Sequence, residues 1–312
     1  MIQAAPLQQQ MRPFVMGREA SSAIEQNYFR FYGLDFEHQM DGVHHDFGFM
    51  DSNGYRLACH LFHQTKAKGT WLVHHGYYDH TGMIPHSIRF FLEQGYNVLA
   101  YDLPGHGLST GSPATIADFS IYTRILEEVI QYTEGWLTHP CHLFGHSTGC
   151  AIITDFLHAR TKQSQSLFFE KVVLSAPLVR PYRWRIGRLQ LYILRLFVKQ
   201  IPRTFTKNSR DDTFLKKVRN DPLTPRILPT EWVSALDRWI QAIEATSVQI
   251  PVAPLILQGT DDTTVDARHN IPLLENLYQQ PKVCWLEDAR HHLPNELSET
   301  RDEFSRWLIK HL

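Results

Sequence analysis

Apolar residues in this chain fall in short bursts set between longer amphipathic stretches. The bursts lie at 55–62, 70–74, 97–101, 141–144, 171–175, 254–258 and 282–286, and most are β-branched or aromatic and end at Gly, Pro or Asp. Short continuous runs of this kind predict strands buried on both faces. Segments of helical length occupy 85–94, 116–137, 148–160, 269–278 and 295–310. Strand alternating with helix predicts an α/β fold: a mostly parallel, doubly wound sheet covered by helices on both sides. Residues 1–40 begin polar and then turn aromatic (Tyr28, Phe29, Phe31, Tyr32, Phe36), which predicts an irregular arm packed on the main domain.

The rhythm fails between 178 and 248. That interval is helical in pattern and Arg-rich, is interrupted by Pro202, Pro222, Pro225 and Pro229, and offers no convincing strand. Ligands of doubly wound sheets bind at the carboxyl ends of the strands, so an insertion following a strand lies over the site. The expected organisation is an arm (1–40), a core (41–177 with 249–312) and a helical cap (178–248).

Composition adds exclusions. A net charge of −1 gives no whole-molecule field that would draw nucleic acid. No stretch approaches the ~20 apolar residues of a membrane span. The Gln-rich start lacks the apolar core of a signal peptide. Cys59, Cys141, Cys150 and Cys284 are widely spaced and read as buried thiols of a reducing compartment, which makes the cytoplasm the expected location. Charge is nevertheless uneven: residues 180–219 hold twelve basic residues and two acidic ones. Arg185, Arg188, Arg195 and Lys199 recur as one face of a helix whose other faces carry Ile186, Leu189, Ile193, Leu194, Phe197 and Val198. Such a helix suits peripheral contact with an anionic lipid surface, or equally a cap whose cations pair with the acidic body.

The chemistry centres on Gly145-His146-Ser147-Thr148-Gly149, which follows the burst at 141–144 and opens the helix at 148–160. A serine on so sharp a strand-to-helix turn needs small neighbours two residues away, and the helix N-terminus behind it favours developing negative charge. A serine hydroxyl needs a base. In this chain order the acid and then the histidine follow the nucleophile. The pair His291-His292, after the last predicted strand, supplies the base from one of its two rings. The acid comes from the loop after 254–258, with Asp262 preferred to Asp261 and Asp261 to Asp266. Oxyanion donors are expected from the Thr148 amide and from the Tyr77 amide in the turn after 70–74. Metal binding by His74, His75 and His80 is a weaker reading, because no Glu or Cys set accompanies them. No cofactor and no metal are expected.

These residues resemble the lysophospholipase and monoacylglycerol lipase branch of the α/β-hydrolases. The likeness is carried by His75-Gly76-x-x-x-His80, Asp102-Leu103-Pro104-Gly105-His106-Gly107-Leu108-Ser109, the Gly145–Gly149 block, Gln258-Gly259-Thr260-Asp261-Asp262, Asp221-Pro222-Leu223 and Glu287-Asp288-Ala289-Arg290-His291. It spans roughly 55–310 in the family's order. The resemblance implies Asp262 as acid, His291 as base, and Tyr77 and Thr148 as oxyanion donors. It departs at Tyr77, where the family often has a small residue, and at Thr148, where it often has Met. Both changes spare the backbone donors and bear on substrate choice. The implied activity is hydrolysis of a lipid ester such as a lysophospholipid or monoacylglycerol. Other readings of the fold are a general carboxylesterase, a proline-iminopeptidase-like amidase, and a hydrolase-shaped binding protein of low turnover. Dehalogenases and epoxide hydrolases place an aspartate where this chain has Ser147.

Overall fold

The structure is a computed structural model and describes residues 2, 4–18 and 20–312. Two helices, α1 (Ala4–Gln10) and α2 (Ala23–Tyr32), precede a hairpin of β1 (Val43–Ser52) and β2 (Tyr55–Gln64). Then follow β3 (Thr70–His74), α3 (Pro85–Glu93), β4 (Asn97–Tyr101), α4 (Ser120–Thr133), β5 (Cys141–His146), α5 (Thr148–Lys162) and β6 (Phe169–Ser175). An insertion holds α6 (Trp184–Leu194), β7 (Gln200–Pro202), α7 (Asp212–Asn220), β8 (Ile227–Pro229) and α8 (Thr230–Glu244). The sheet resumes with β9 (Leu255–Gly259), α9 (Ala267–Leu277), β10 (Lys282–Leu286) and α10 (Ser298–His311).

Eight strands form one sheet in the order β1-β2-β4-β3-β5-β6-β9-β10, with β2 antiparallel to both neighbours and the remainder parallel. Alternation along its strands divides the interior into two cores. Leu72, Leu99, Tyr101 and Leu143 join α4, α5, α8 and α9 on one side, while Trp71, Val73, Val98 and Ala100 join α2, α3 and α10 on the other. This is the layered α/β arrangement read from the bursts. It carries the carboxyl ends of β5, β9 and β10 to one edge of the sheet, where chemistry belongs in such folds.

Three expectations are corrected. The arm is not irregular: Ser22 and Glu25 form a reciprocal capping box that starts α2, and Gly33 closes it in the left-handed region. Its residues 12–14 hydrogen-bond along Phe49 and so cover the free edge of β1. The insertion is not free of strands, because β7 and β8 pair antiparallel over three residues each. Pairs so short, each ending in proline, leave no periodic signal. Finally, α6 stops at Leu194, with Arg195 as its cap and Lys199 beyond it, so the four cations do not share one helical face.

The arm brings one pH-sensitive contact. His45 on β1 and His60 on β2 lie 3.0 Å apart, stacked and buried beneath Phe29 and Tyr28. Burial pulls His45 well below its ordinary range and lowers His60 to about 4. Both rings are therefore neutral when folded, one donating to the other. In the unfolded chain each titrates near ~6.5. Between those values the unfolded chain binds more protons, so stability present above pH ~6.5 is lost progressively toward pH ~4. His60 alone accounts for about 3 kcal/mol at the low end. Thermal unfolding scans should show Tm falling across this window. They should also show a smaller fall in His60→Gln, whose side chain carries no charge at any of these pH values. Equal slopes in the two proteins would remove His60 from the account.

Candidate active site

Ser147 stands at the joint of β5 and α5 with φ 52° and ψ −111°, a region L-residues avoid. Its neighbours over-determine that conformation. A Cβ on Gly145 would lie 2.6 Å from the Cys150 nitrogen, and one on Gly149 would lie 2.4 Å from the His74 carbonyl oxygen. Glycine is the residue both positions admit. The Ser147 N–H donates to the Ser175 carbonyl (2.9 Å), and the Ser147 carbonyl accepts from Cys150 N–H (3.0 Å).

The loop after β10 carries His291 to this serine. Its Nε2 lies 2.9 Å from Ser147 Oγ and its Nδ1 lies 2.8 Å from Asp262 Oδ2. A carboxylate only accepts, so Nδ1 bears the hydrogen and Nε2 presents its lone pair to the hydroxyl. Asp262, on the loop after β9, is fully engaged. Oδ1 accepts from Thr264 N–H (2.8 Å) and Val265 N–H (3.1 Å), and Oδ2 also accepts from Gln258 Nε2 (3.0 Å). Burial pushes its carboxyl up, but His291 and these donors outweigh that and hold it below the usual carboxylate range. The other two aspartates stay outside this group. Asp261 is exposed, and Asp266 precedes α9, where its carbonyl accepts from His269 and Asn270.

The second ring of the pair, His292, turns away from Ser147. Its Nε2 donates to Asp79 Oδ2 (3.1 Å) and its Nδ1 accepts from Asn295 Nδ2 (3.2 Å). Asp79 is buried, which raises its carboxyl, yet His292, His146 and His75 bring it well below the ordinary range. Asp79, His146 and His292 place ligand atoms within 4.8 Å of one another, a donor set able to hold a divalent cation. Both nitrogens of His292 and the facing oxygen of Asp79 already have partners within the protein, while His146 Nδ1 is buried without one. Sequence reasoning passed over Asp79 and His146 as site residues, although both fall inside the motifs it quoted.

His74, His75 and His80 do not converge on a common point. His75 donates from Nδ1 to the Gly76 carbonyl (2.8 Å) and accepts at Nε2 from Leu103 N–H (2.9 Å). His80 accepts at Nδ1 from Gly82 N–H (3.2 Å), and its Nε2 lies 3.4 Å from Asp221 of the insertion. His74 packs edge-on against Tyr101. Nearer Ser147, the N–H groups of Tyr77 and Thr148 find no hydrogen-bond acceptor among the described residues. The Tyr77 ring stacks on Trp232 of α8 at 3.6 Å and its hydroxyl donates to the Ala114 carbonyl (2.7 Å), so this side chain ties the insertion to the core.

Ser147 and His291 open into a cavity of about 410 Å³. Leu178, Trp184, Leu191, Leu194, Val233 and Leu236 from the insertion form much of its apolar wall. The volume lies in the range of small-molecule sites.

A strand–serine–helix joint at the carboxyl edge of such a sheet defines an α/β-hydrolase. The sequence model of the family described as serine aminopeptidase, S33, matches residues 65–298, and the chain belongs to that family. It lies in the monoglyceride lipase-like branch. It is 27% identical over 273 residues to human monoglyceride lipase, covering 83% of this chain and 88% of that protein. It is 24% identical over 246 residues to phospholipase YtpA of Bacillus subtilis, covering 75% and 91%. Among solved structures, the monoacylglycerol lipase of Paleococcus ferrophilus is similar in fold. The TM-score is 0.69 at 19% identity, over 84% of this chain and all of that one. The chain is a hydrolase. Among the described residues, no helix is long and apolar enough to cross a membrane.

Proposed function

We propose that this hydrolase cleaves the carboxylic ester of a single-chain glycerolipid, a monoacylglycerol or lysophospholipid, through an acyl-enzyme on Ser147. One observation carries the reading: the continuous hydrogen-bonded series Asp262–His291–Ser147 at the floor of an apolar cavity. His291 Nε2 takes the hydroxyl proton as Ser147 Oγ bonds to the ester carbon. The oxyanion so formed is met by the unpaired N–H groups of Tyr77 and Thr148, each donor contributing roughly 10²–10³ in rate. The protonated ring then gives its proton to the departing glycerol oxygen. A water deprotonated by the same nitrogen attacks the acyl carbon, releasing the fatty acid and restoring the serine.

The insertion, read as a cap, supplies the lipid preference. Each methylene withdrawn from water into its wall contributes about 0.8 kcal/mol. Helix α6 buries Trp184 and Leu191 toward the cavity but exposes Ile186 (58%), Leu189 (65%) and Ile193 (56%) on its outside. The turn beyond adds Leu196 (74%) and Phe197 (79%). A contiguous apolar face flanked by Arg185, Arg195 and Lys199 is the composition that seats on an anionic lipid surface. Arg188 is the exception, because it pairs with Asp237 at 2.8 Å. The names of the relatives, monoglyceride lipase and phospholipase, accord with this substrate class.

The test is fatty-acid release from monoacylglycerols and lysophospholipids beside short p-nitrophenyl esters. Leu196→Asp with Phe197→Asp should lower turnover on lipid dispersions tenfold or more, with little effect on the short esters. An enzyme that turned over short esters alone would retain its mechanism and lose the lipid assignment.

A further inference from the structure

Among the described residues, the cavity wall holds one Lys or Arg side chain, Arg203, and it has no counter-ion. Arg203 follows β7 and lines the same cavity as Ser147 and His291. Its guanidinium carbon lies 4.0 Å from the centre of the Tyr78 ring, the residue after the Tyr77 amide, and 4.5 Å from that of Phe205. Among the described residues its side chain makes one hydrogen bond, from Nη1 to the Pro225 carbonyl (3.4 Å), and no carboxylate stands within 4.0 Å. Most of its five N–H donors are thus unclaimed. Across Phe205 a second guanidinium, Arg226, approaches the same ring at 5.1 Å and adds like charge. Partial burial disfavours the charged form of Arg203, and the carboxylate that acts on it at longer range, Asp79, is already bonded to His292. The backbone following Arg203 is anchored to the catalytic loop, because the Asn208 carbonyl accepts from His292 N–H (2.7 Å).

A half-buried guanidinium with unclaimed donors in the wall of a substrate cavity is placed to meet an anion carried by the ligand. We infer that Arg203 is a specificity-determining residue that grips an oxyanion, a phosphate, on the head group of the substrate. This rests on the lipid-ester reading and extends it: of the two single-chain glycerolipids, the phosphate-bearing one is preferred. The planar fork suits two phosphate oxygens at once, and stacking on Tyr78 fixes its plane in the wall of the cavity that holds Ser147. Thr204 and Thr206, which also line the cavity, offer hydroxyl groups to the same head.

The experiment compares kcat/KM for oleoyl lysophosphatidic acid and for monooleoylglycerol, which share an acyl chain. Wild type should favour the phosphate substrate, and Arg203→Gln should lower that preference ratio about tenfold to a hundredfold, the value of hydrogen bonds to a charged group. Arg203→Lys, a point charge without the fork, should fall between them. In parallel, sn-glycerol 3-phosphate should inhibit wild type more strongly than glycerol does, with the difference erased in Arg203→Gln. An unchanged ratio in Arg203→Gln, whether both rates fall or neither does, overturns the inference and makes Arg203 a brace against Tyr78. Wild type that released fatty acid from neither lipid would overturn the underlying reading as well, and would do so before any variant was made.

Discussion

Ser147→Ala should lower kcat on any ester the protein hydrolyses by roughly a millionfold, the size of effect seen when one member of such a unit is removed. That corresponds to about 8 kcal/mol of barrier. Labelling by a fluorophosphonate probe should vanish with it. The loss is chemical, since alanine adds no atom to a joint already shaped around a Cβ at this position. Tm should therefore stay within a few degrees of wild type. His291→Ala should fall to a similar floor, and the double variant no lower, because the proposed mechanism has the two side chains serve one step. On the proposed mechanism, what should survive is binding and the Tyr77 and Thr148 amides. Undiminished labelling of Ser147→Ala would put the reactive group elsewhere and leave the 2.9 Å contact between Ser147 and His291 without a catalytic meaning.

The parts of this site that were legible in the sequence are those fixed by local backbone demands. Gly145 and Gly149 announce the joint because nothing else fits beside Cys150 and His74. The strands at 70–74 and 97–101 match to the residue, because buried parallel strands are continuous apolar runs with sharp ends; 282–286 matches too, although it is an edge strand with Lys282 and Trp285 exposed. By contrast, β1 was missed. Its sequence, VHHDFGFMDS, carries His, Asp and Gly at positions that become buried only when β2 and the arm close over them. The Ser22–Glu25 capping box was present as a pattern and went unread. The His292–Asp79 pairing and the setting of Arg203 had no local signal. Asp79 lies 213 residues from His292, and the lack of a carboxylate beside Arg203 among the described residues is a property of the assembled insertion. Tertiary proximity created these features, and spacing along the chain does not encode them.

Of the three aspartates that follow β9, Asp262 alone should prove essential, and Asp262→Asn should cost roughly ten-thousandfold in kcat with the fold intact. The reason lies in the polarity of its four contacts. Oδ1 faces two N–H donors, from Thr264 and Val265, so the oxygen of an asparagine must remain there. The amide nitrogen is then forced to the Oδ2 position, opposite His291 Nδ1. Two donors cannot share that contact, so Nδ1 must give up its hydrogen and accept. The hydrogen moves to Nε2, which then points a donor at Ser147 Oγ and can no longer take its proton. Gln258 meets the same nitrogen through Nε2 and can turn its amide over, since its Oε1 is without a partner in the wild-type interior. That adjustment keeps the loop folded while the wrong tautomer persists. Asp261→Asn and Asp266→Asn should stay within about threefold of wild type, since neither side chain contacts His291 or Ser147. Imidazole proton spectra should then show the downfield Nδ1–H signal of His291 present in wild type and lost in Asp262→Asn alone. Full activity in Asp262→Asn, or an equal loss in Asp261→Asn, would mean that another acid orients the ring.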